Sequence, residues 1–144
     1  MASSPRRGTE TRRRPVSTFP LYLAYLGTAI GLLAVFARIY MFITPYNELA
    51  LIRDGNKTAA ISLGGVLIGF GLALSGTATH SEGLLDMVKW GAVSLASQVA
   101  VYFAVTMLLK DFRDGIEADK ASFGILLAAM SIAMGLINAG SVSY

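Results

Sequence analysis

The stretch TAAISLGGVLIGFGLALSGTAT occupies residues 58–79 and contains no charged side chain. A helix rises 1.5 Å per residue, so this segment is long enough to cross about 30 Å of hydrocarbon. It lacks the strict alternation of a membrane strand and exceeds the roughly 9–11 residues that such a strand needs. The stretch therefore predicts a transmembrane helix.

Three further apolar runs of similar length accompany this segment. They cover residues 21–43, 87–109 and 121–141, and the segments between the runs are short and polar. Short connections make consecutive helices antiparallel neighbours. We therefore predict an all-α polytopic membrane protein, with four transmembrane helices arranged as two tandem hairpins in one domain over residues 18–144.

Composition supports a membrane protein and excludes several kinds of chemistry. Of the 144 residues 54% are hydrophobic and 15% are charged, and the mean hydropathy of +0.59 is unlike that of a soluble domain. The chain has no cysteine, so disulfides, thiolate metal sites and cysteine nucleophiles are excluded. Phosphate-binding glycine loops and nucleophile–base pairs are also missing from the sequence. We therefore expect that the protein is not an enzyme, that it has no cofactor and no metal site, and that it does not bind nucleic acid.

The segment before the first apolar run, positions 1–17, is a basic tail with almost no apolar side chains, which predicts disorder. The following apolar run, residues 21–43, is too long for a signal peptide and ends without a cleavage pattern, so the tail is expected to be retained. Five arginines in the tail favour a cytoplasmic N-terminus, although the basic residues of the first and third loops favour the opposite orientation. Both termini lie on one side in either case. Arg12, Arg13 and Arg14 are candidates for contact with anionic lipid.

The second and fourth runs match one another when they are aligned without gaps. The matches include Gly71 with Gly135 and Gly76 with Gly140. Two apolar helices rich in small residues also match to some extent by composition alone. The alternative is a duplicated hairpin, with units over residues 21–79 and 85–142 related by a pseudo-twofold axis along the membrane normal.

Several residues inside the runs are candidates for packing or function. Small residues let membrane helices approach closely, and the candidates are Gly27, Gly31, Gly64, Gly65, Gly69, Gly71 and Gly135. The amides Gln98, Asn138 and Asn56 are predicted either to form hydrogen bonds between helices or to line a polar path. His80 is a possible pH-sensitive group, although a solvated turn residue is the simpler interpretation. The loop charges, including that of Glu48, are expected to be solvated, and the aromatic residues Tyr40, Tyr46, Trp90, Tyr102 and Tyr144 are expected at the membrane–water interface.

Motifs around the first loop resemble the YjfL family of bacterial inner-membrane proteins. The similarity lies in Thr44, Pro45, Asn47 and Glu48, in the Asn-x-x-Ala-Ala pattern that begins at Asn56, and in the Asp-x-x-x-Trp pattern of residues 86–90. It covers about residues 20–142. The resemblance implies a small multi-pass protein of the bacterial plasma membrane with a duplicated hairpin, and it implies no established activity.

Two functions remain open from the sequence. The first is a homo-oligomeric channel or transporter for a small ion or solute, because four short helices are too few to enclose a wide path alone. The second is a non-conducting membrane scaffold or partner-binding subunit of an envelope complex, with the loops and the basic tail as contact sites.

Overall fold

The computed structural model describes Ser3 and residues 18–142, and the regular structure of these residues is helical throughout. The elements are α1 (Thr18–Ile43), α2 (Glu48–Arg53), α3 (Lys57–His80), α4 (Leu84–Leu108), α5 (Phe112–Glu117) and α6 (Ala121–Ser141). Helices α1, α3, α4 and α6 are each long and apolar enough to cross a membrane. The predicted all-α fold with four transmembrane helices is confirmed. The prediction for the basic tail concerns residues that lie, except for Ser3, outside the described part.

The long helices extend beyond some of the predicted spans. α1 begins at Thr18, so Pro20 lies in its first turn, where the missing amide hydrogen costs no helical hydrogen bond. α4 begins at Leu84, slightly before the predicted span, and therefore has Asp86 in its first turn. An acidic side chain at this position interacts favourably with the helix dipole.

The sequence suggested that the two longer connections are simple polar loops, and the structure differs. Each contains a short helix, α2 in the first and α5 in the third. The alignment that pairs Gly71 with Gly135 also pairs the first and last residues of α2 with the first and last residues of α5. It pairs the first residue of α3 with the first residue of α6 as well. The chain therefore runs twice through a long, a short and a long helix, while the duplication and the pseudo-twofold axis remain interpretations.

The turns that end the two short helices have the same backbone hydrogen bonds. After α2, the amides of Gly55 and Asn56 donate to the carbonyls of Ile52 and Leu51, at 3.0 and 2.8 Å. After α5, the amides of Asp119 and Lys120 donate to the corresponding carbonyls at 3.1 and 2.9 Å. Gly55 and Asp119 both have positive φ angles, of 90° and 56°, as the left-handed residue after a helix end requires.

Helices α3 and α6 form the centre of the bundle. A Cβ atom placed on Gly69 would overlap the backbone of Ser131, and one placed on Gly135 would overlap the backbone of Gly69. Gly65 likewise lies against Ala128. Since the two backbones touch where side chains are missing, α3 and α6 pack without a gap over this length.

Aromatic rings fill the end of the bundle that carries the short helices. The rings of Tyr40 and Tyr102 meet edge to face with centroids 5.5 Å apart, and Tyr102 also meets Phe112 at 6.1 Å. Tyr40, Tyr46 and Tyr102 are only 2%, 6% and 4% exposed. The expected interfacial position is therefore wrong for these three tyrosines, because each ring packs inside the bundle rather than at its rim.

Helix α1 packs on the bundle mainly through its second half. Phe36 and Tyr40 are its buried residues, and the ring of Phe36 stacks on that of Phe70 in α3 at 4.3 Å. Large apolar side chains in the first half, such as Phe19 and Tyr22, are exposed. Exposed apolar side chains of this kind suit the surface of a transmembrane helix, because lipid solvates them without cost.

Candidate functional site

The connection between α1 and α2 buries an acidic side chain. The Thr44 hydroxyl donates to the carbonyl of Met41 at 3.2 Å, and Pro45 is exposed. Asn47 caps α2, because its side-chain oxygen accepts from the Ala50 amide at 3.2 Å. Glu48 is therefore the first residue of α2, and it is 2% exposed. The expectation of a solvated Glu48 is wrong, since the cap turns this side chain into the protein.

The Glu48 carboxylate lies among three tyrosines, Tyr40, Tyr46 and Tyr102, which with Glu48 are called the Glu48 cluster below. All three interact electrostatically with the carboxylate. Both carboxylate oxygens, and the hydroxyl oxygens of Tyr40 and Tyr46, are buried and make no hydrogen bond with the described residues. The cluster thus contains four buried polar atoms without a partner in the described part of the chain. Buried polar atoms without hydrogen bonds reduce the stability of the folded protein.

Burial changes the acid–base properties of Glu48 and Tyr46, the two residues of the Glu48 cluster that lie outside the membrane-spanning helices. Loss of hydration raises the pKa of Glu48 from 4.5 to about 7. The Tyr40 hydroxyl interacts with the carboxylate and offsets a smaller part of this rise. Burial, and then the nearby Glu48 charge, raise the pKa of Tyr46 well above 10. Glu48 is therefore the group in the cluster that exchanges a proton near neutral pH.

A cleft of about 350 Å³ lies beside the Glu48 cluster. Tyr102 belongs to both, and the other lining residues are Ile43, Pro45, Phe103, Thr106, Phe112 and Arg113. The Arg113 guanidinium donates to the Glu117 carboxylate at 3.0 Å, so its charge is partly compensated. The cleft brings the surface of the protein to one wall of the buried cluster.

Asn56 connects the two short-helix turns. Its side-chain oxygen accepts from the Ala59 amide at 2.9 Å and caps α3, while its side-chain nitrogen donates to the Ile116 carbonyl in α5 at 2.7 Å. One amide thus satisfies the beginning of α3 and the end of α5. Of the two predicted roles for Asn56, a hydrogen bond between structural elements is the one that the geometry supports.

Asp119 reinforces this connection from the second turn. A single carboxylate oxygen of Asp119 accepts from the amide and the hydroxyl of Thr58, at 2.8 and 2.6 Å. These hydrogen bonds lower the pKa of Asp119, because they stabilise the ionised carboxylate. Residues from both halves of the chain therefore cap the first turn of α3.

A second polar group lies at the depth of the membrane. Gln98, near the middle of α4, is 2% exposed, and its side-chain nitrogen donates to the Ser131 carbonyl in α6 at 3.0 Å. The Gln98 side-chain oxygen, the Ser131 hydroxyl and the Asn138 side-chain nitrogen are buried without a partner among the described residues. Gln98 thus joins two helices, and the neighbouring polar atoms retain unused hydrogen-bonding capacity.

Comparison with known proteins places the chain in a family. Residues 15–142, which are most of the chain, match the family model described as Domain of Unknown Function (DUF350). The chain belongs to the DUF350 family. The matched region includes all six helices of this DUF350 protein and every residue of the Glu48 cluster.

Two curated relatives cover nearly the whole DUF350 protein. The UPF0719 inner membrane protein YjfL of Escherichia coli K12 is 27% identical over 123 residues, which are 85% of this chain and 93% of the relative. The UPF0719 transmembrane protein YshE of Bacillus subtilis 168 is 24% identical over 121 residues, which are 83% of this chain and 90% of the relative. No solved structure matches. The DUF350 protein is an integral, multi-pass protein of the inner membrane.

The predicted packing glycines of this DUF350 protein divide into two groups. Gly65, Gly69 and Gly135 lie where α3 meets α6. Gly27 and Gly31 in α1, and Gly64 and Gly71 in α3, have open space where a Cβ would be. The second group makes no close contact within the described chain, and packing of these glycines between chains stays a prediction.

His80 lies at the far end of α3 from the Glu48 cluster. Its ring nitrogen Nδ1 is 3.0 Å from the Gly76 carbonyl and 2.8 Å from the Thr79 hydroxyl. Together with Glu82 and Asp86 it lines a cleft of about 260 Å³ against the end of α6. Within residues 18–142 no group of three His, Asp or Glu side chains is arranged to bind a metal ion.

Sequence reasoning selected Glu48 and Asn56 through the loop motif but missed their partners. Tyr102 lies in a different transmembrane helix from the loop that carries Glu48, and Asp119 approaches Thr58 only when the two turns meet. A tyrosine near a helix end has the same local sequence whether it faces lipid headgroups or a buried acid. An acidic residue directly after a capping Asn was a signal for a helix start at Glu48, and it did not indicate which way the carboxylate faces.

Proposed function

We propose that this protein binds and releases a proton at Glu48 while it moves a small ion or solute across the inner membrane, and that it acts as a homo-oligomer. The observation that carries the proposal is the buried Glu48 carboxylate, which has no hydrogen-bond partner among the described residues. The proposed role is binding and transfer, without catalysis.

The energetic argument begins with the cost of the buried carboxylate. An ionised and unpaired carboxylate in a dry site costs several kcal/mol, so the group stays neutral or gains water or a cation. A pKa of about 7 means that both forms are populated near neutral pH. The ionised form of Glu48 therefore favours entry of water or a cation at the short-helix end of the bundle, and the neutral form favours a dry site.

The cleft beside Tyr102 supports exchange of this proton with the aqueous side. A buried ionisable group whose pKa is strongly shifted by desolvation is a candidate functional group. The unused polar atoms around Gln98 and Ser131 offer further hydrogen bonds deeper in the bundle. These two polar regions are the parts of the chain that a path for a small hydrophilic species would use.

The proposal of an oligomer rests on the closed centre of the single chain. The contact of α3 with α6 leaves no room for a path between them, because glycines bring the two backbones together. Open surfaces beside Gly27, Gly31 and Gly64 are available for helices of another copy. A path would therefore lie between subunits rather than through one subunit.

The proposal is tested with purified protein in liposomes that contain a pH-sensitive dye. A potassium gradient with valinomycin sets the membrane potential, and external pH steps set the proton gradient. We expect dye-reported proton flux in the wild type and a loss of more than about tenfold in Glu48→Gln, because the variant cannot release a proton. Glu82→Gln, an exposed acid at the other end of the bundle, is the matched control and should retain flux. No flux in the wild type under either gradient contradicts the proposal.

The alternative is a non-conducting scaffold or partner-binding subunit. The hydrogen bonds of Gln98 to Ser131 and of Asn56 to Ile116 favour it, since both fix helices in one arrangement. A scaffold predicts no flux and a partner that co-purifies through the exposed loops. Crosslinking in membranes followed by mass spectrometry distinguishes this outcome from self-association.

A further inference from the structure

The Glu48 cluster brings several oxygen atoms together around one buried acid. Both carboxylate oxygens of Glu48 and the hydroxyl oxygens of Tyr40 and Tyr46 are buried and make no hydrogen bond with the described residues. Tyr40 interacts with Glu48 and also with Tyr46, so these oxygens come from α1, from α2 and from the connection between them. Oxygen atoms with unused lone pairs are the ligands that hard metal cations prefer.

The described groups that interact electrostatically with Glu48 carry no positive charge. They are the three tyrosines of the Glu48 cluster, from α1, from the connection before α2 and from α4, and tyrosine is neutral near pH 7. Arg53, the basic residue of α2, is exposed at the other end of that helix. An ionised carboxylate that is buried without a counter-charge is costly, and a bound cation offsets this cost.

The basic residues of the neighbouring short and long helices have other partners. The Arg113 guanidinium, from α5, lines the cleft beside the cluster and donates to the Glu117 carboxylate at 3.0 Å. Lys57, the first residue of α3, interacts with Asp119. The cleft of about 350 Å³ therefore offers a cation an approach to the cluster past an arginine whose charge is already paired.

The charge of the cluster favours a monovalent cation. Glu48 supplies a single negative charge, which a monovalent cation neutralises completely. A divalent cation would leave one positive charge in a buried site, which is costly for the same reason as an unpaired carboxylate. Ca²⁺ also takes about 6–8 oxygen ligands, and Mg²⁺ demands a nearly ideal octahedral set. The cluster offers fewer buried oxygens than either ion requires.

We propose that the Glu48 cluster binds a monovalent metal cation, sodium or potassium, in place of the proton, with the Glu48 carboxylate and the hydroxyl oxygens of Tyr40 and Tyr46 as ligands. The proposal rests on the proposed function, because it names the ion that exchanges with the proton at Glu48. When the cation binds, the O–H bond of the neutral acid breaks, the proton leaves to water and the cation takes its place. The net charge of the site is the same before and after the exchange.

Cation binding is tested in detergent, where no gradient is present. The full chain is purified in dodecyl maltoside and kept at pH 7 in a nearly unbuffered solution with a pH-sensitive dye, and sodium or potassium chloride is added. Because the pKa of Glu48 is about 7, saturating cation should release about 0.5 proton per chain at this pH. The chloride of N-methyl-D-glucamine, a cation too large for the cluster, should release none.

Two acid-to-amide variants locate the released proton. Glu48→Gln has no proton to exchange and should show no cation-dependent release. Glu82→Gln, which replaces an exposed acid at the other end of the bundle, should release as much as the wild type. Circular dichroism checks that both variants are folded.

Two tyrosine variants test the hydroxyl ligands. Tyr46→Phe keeps the ring and removes one oxygen, so the dissociation constant of the preferred cation should rise about tenfold. Tyr22→Phe, at an exposed position of α1, should leave this constant unchanged. Calorimetric titration at pH 8, where Glu48 is mostly ionised, measures both variants.

The pH dependence of the wild type tests the competition without any substitution. Since the proton occupies Glu48 below the pKa of about 7 and leaves it above, the dissociation constant should be about tenfold larger at pH 6 than at pH 8. The same calorimetric titration measures it. A constant that does not change with pH contradicts exchange of the cation for the proton.

The outcomes for cation binding and for transport are distinguishable. A folded wild type that releases no proton on addition of sodium or potassium overturns the cation site, even where liposomes show proton flux. Cation-dependent release from a protein that shows no flux supports the site and contradicts the proposed transport. Equal release by N-methyl-D-glucamine chloride assigns the effect to ionic strength and overturns binding, and equal release by calcium chloride overturns the monovalent assignment.

Discussion

The two short helices, α2 and α5, end in the same turn but begin with different side chains. Glu48 starts α2 and Phe112 starts α5 at the corresponding position, and both are buried, at 2% and 5% exposure. The ring of Phe112 packs edge to face on Tyr102 and on Phe123. A side chain at this position can therefore be buried in favourable apolar contacts, so packing alone does not require the carboxylate of Glu48.

The turns after the two helices also differ in their side chains. Asn56 caps α3 and reaches across to α5, while Lys120, its counterpart in the second turn, makes no side-chain cap for α6. Asp119 supplies its hydrogen bonds to the first residues of α3 instead. Both halves of the chain thus direct these polar contacts to the first turn of α3, whereas the Glu48 carboxylate oxygens make no hydrogen bond with the described residues.

The largest effect on stability is expected from a substitution that disrupts the contact of α3 with α6. Gly69→Leu forces a side chain into the backbone of α6 and should lower the free energy of unfolding by more than about 3 kcal/mol. Gly64→Leu, with open space at its Cβ, should change it by less than about 1 kcal/mol. Titration with sodium dodecyl sulfate in dodecyl maltoside micelles, followed by circular dichroism, measures both. Equal stability of the two variants would contradict the close contact of α3 with α6.

The second effect concerns the acidic start of α2. Because burial raises the pKa of Glu48 from 4.5 to about 7, the folded protein keeps the proton that the unfolded chain releases between these values. Its contribution to stability is complete below pH 4.5 and is lost as the pH rises through 7, a change of about 3 kcal/mol. Glu48→Gln should abolish this part of the pH dependence. Unfolding curves from pH 4 to 8 measure it, and parallel profiles of wild type and variant would rule out the raised pKa.

The third effect compares the two residues that follow the turns. Asn56→Ala removes a helix cap and a buried hydrogen bond to Ile116, and should cost about 2 kcal/mol. Lys120→Ala, at the corresponding position of the second turn, should change stability by less than about 0.5 kcal/mol. The same detergent titration measures both variants. A larger loss in Lys120→Ala would show that the second turn depends on a contact other than those described.

The smallest effect is expected at Asp119, which is exposed. Its lowered pKa means that its ionised form contributes stability above the ordinary carboxyl pKa of 3.8, and that this contribution is lost as the pH falls further. Asp119→Asn should therefore be slightly less stable than the wild type at pH 7 and closer to it at pH 3. Thermal unfolding at the two pH values measures the difference. A variant that is destabilised equally at both would indicate that the charge of Asp119 is unimportant.

The sequence by itself determined the membrane class, the four spans and the family. Apolar runs of this length have one stable structure in lipid, because a helix satisfies its backbone hydrogen bonds within the segment. The motif Thr44, Pro45, Asn47 and Glu48 also singled out the first loop, although the sequence suggested a solvated Glu48.

Only the tertiary structure decided that Glu48 is buried, which tyrosines surround it and which glycines are in contact. Gly64 and Gly65 are neighbours in sequence, yet one faces open space and the other lies against Ala128. Local patterns do not encode the rotation of a helix that is apolar on all sides, since lipid and protein interior solvate its side chains almost equally. The contact of α3 with α6 sets that rotation for these two helices, and with it which of their glycines are buried.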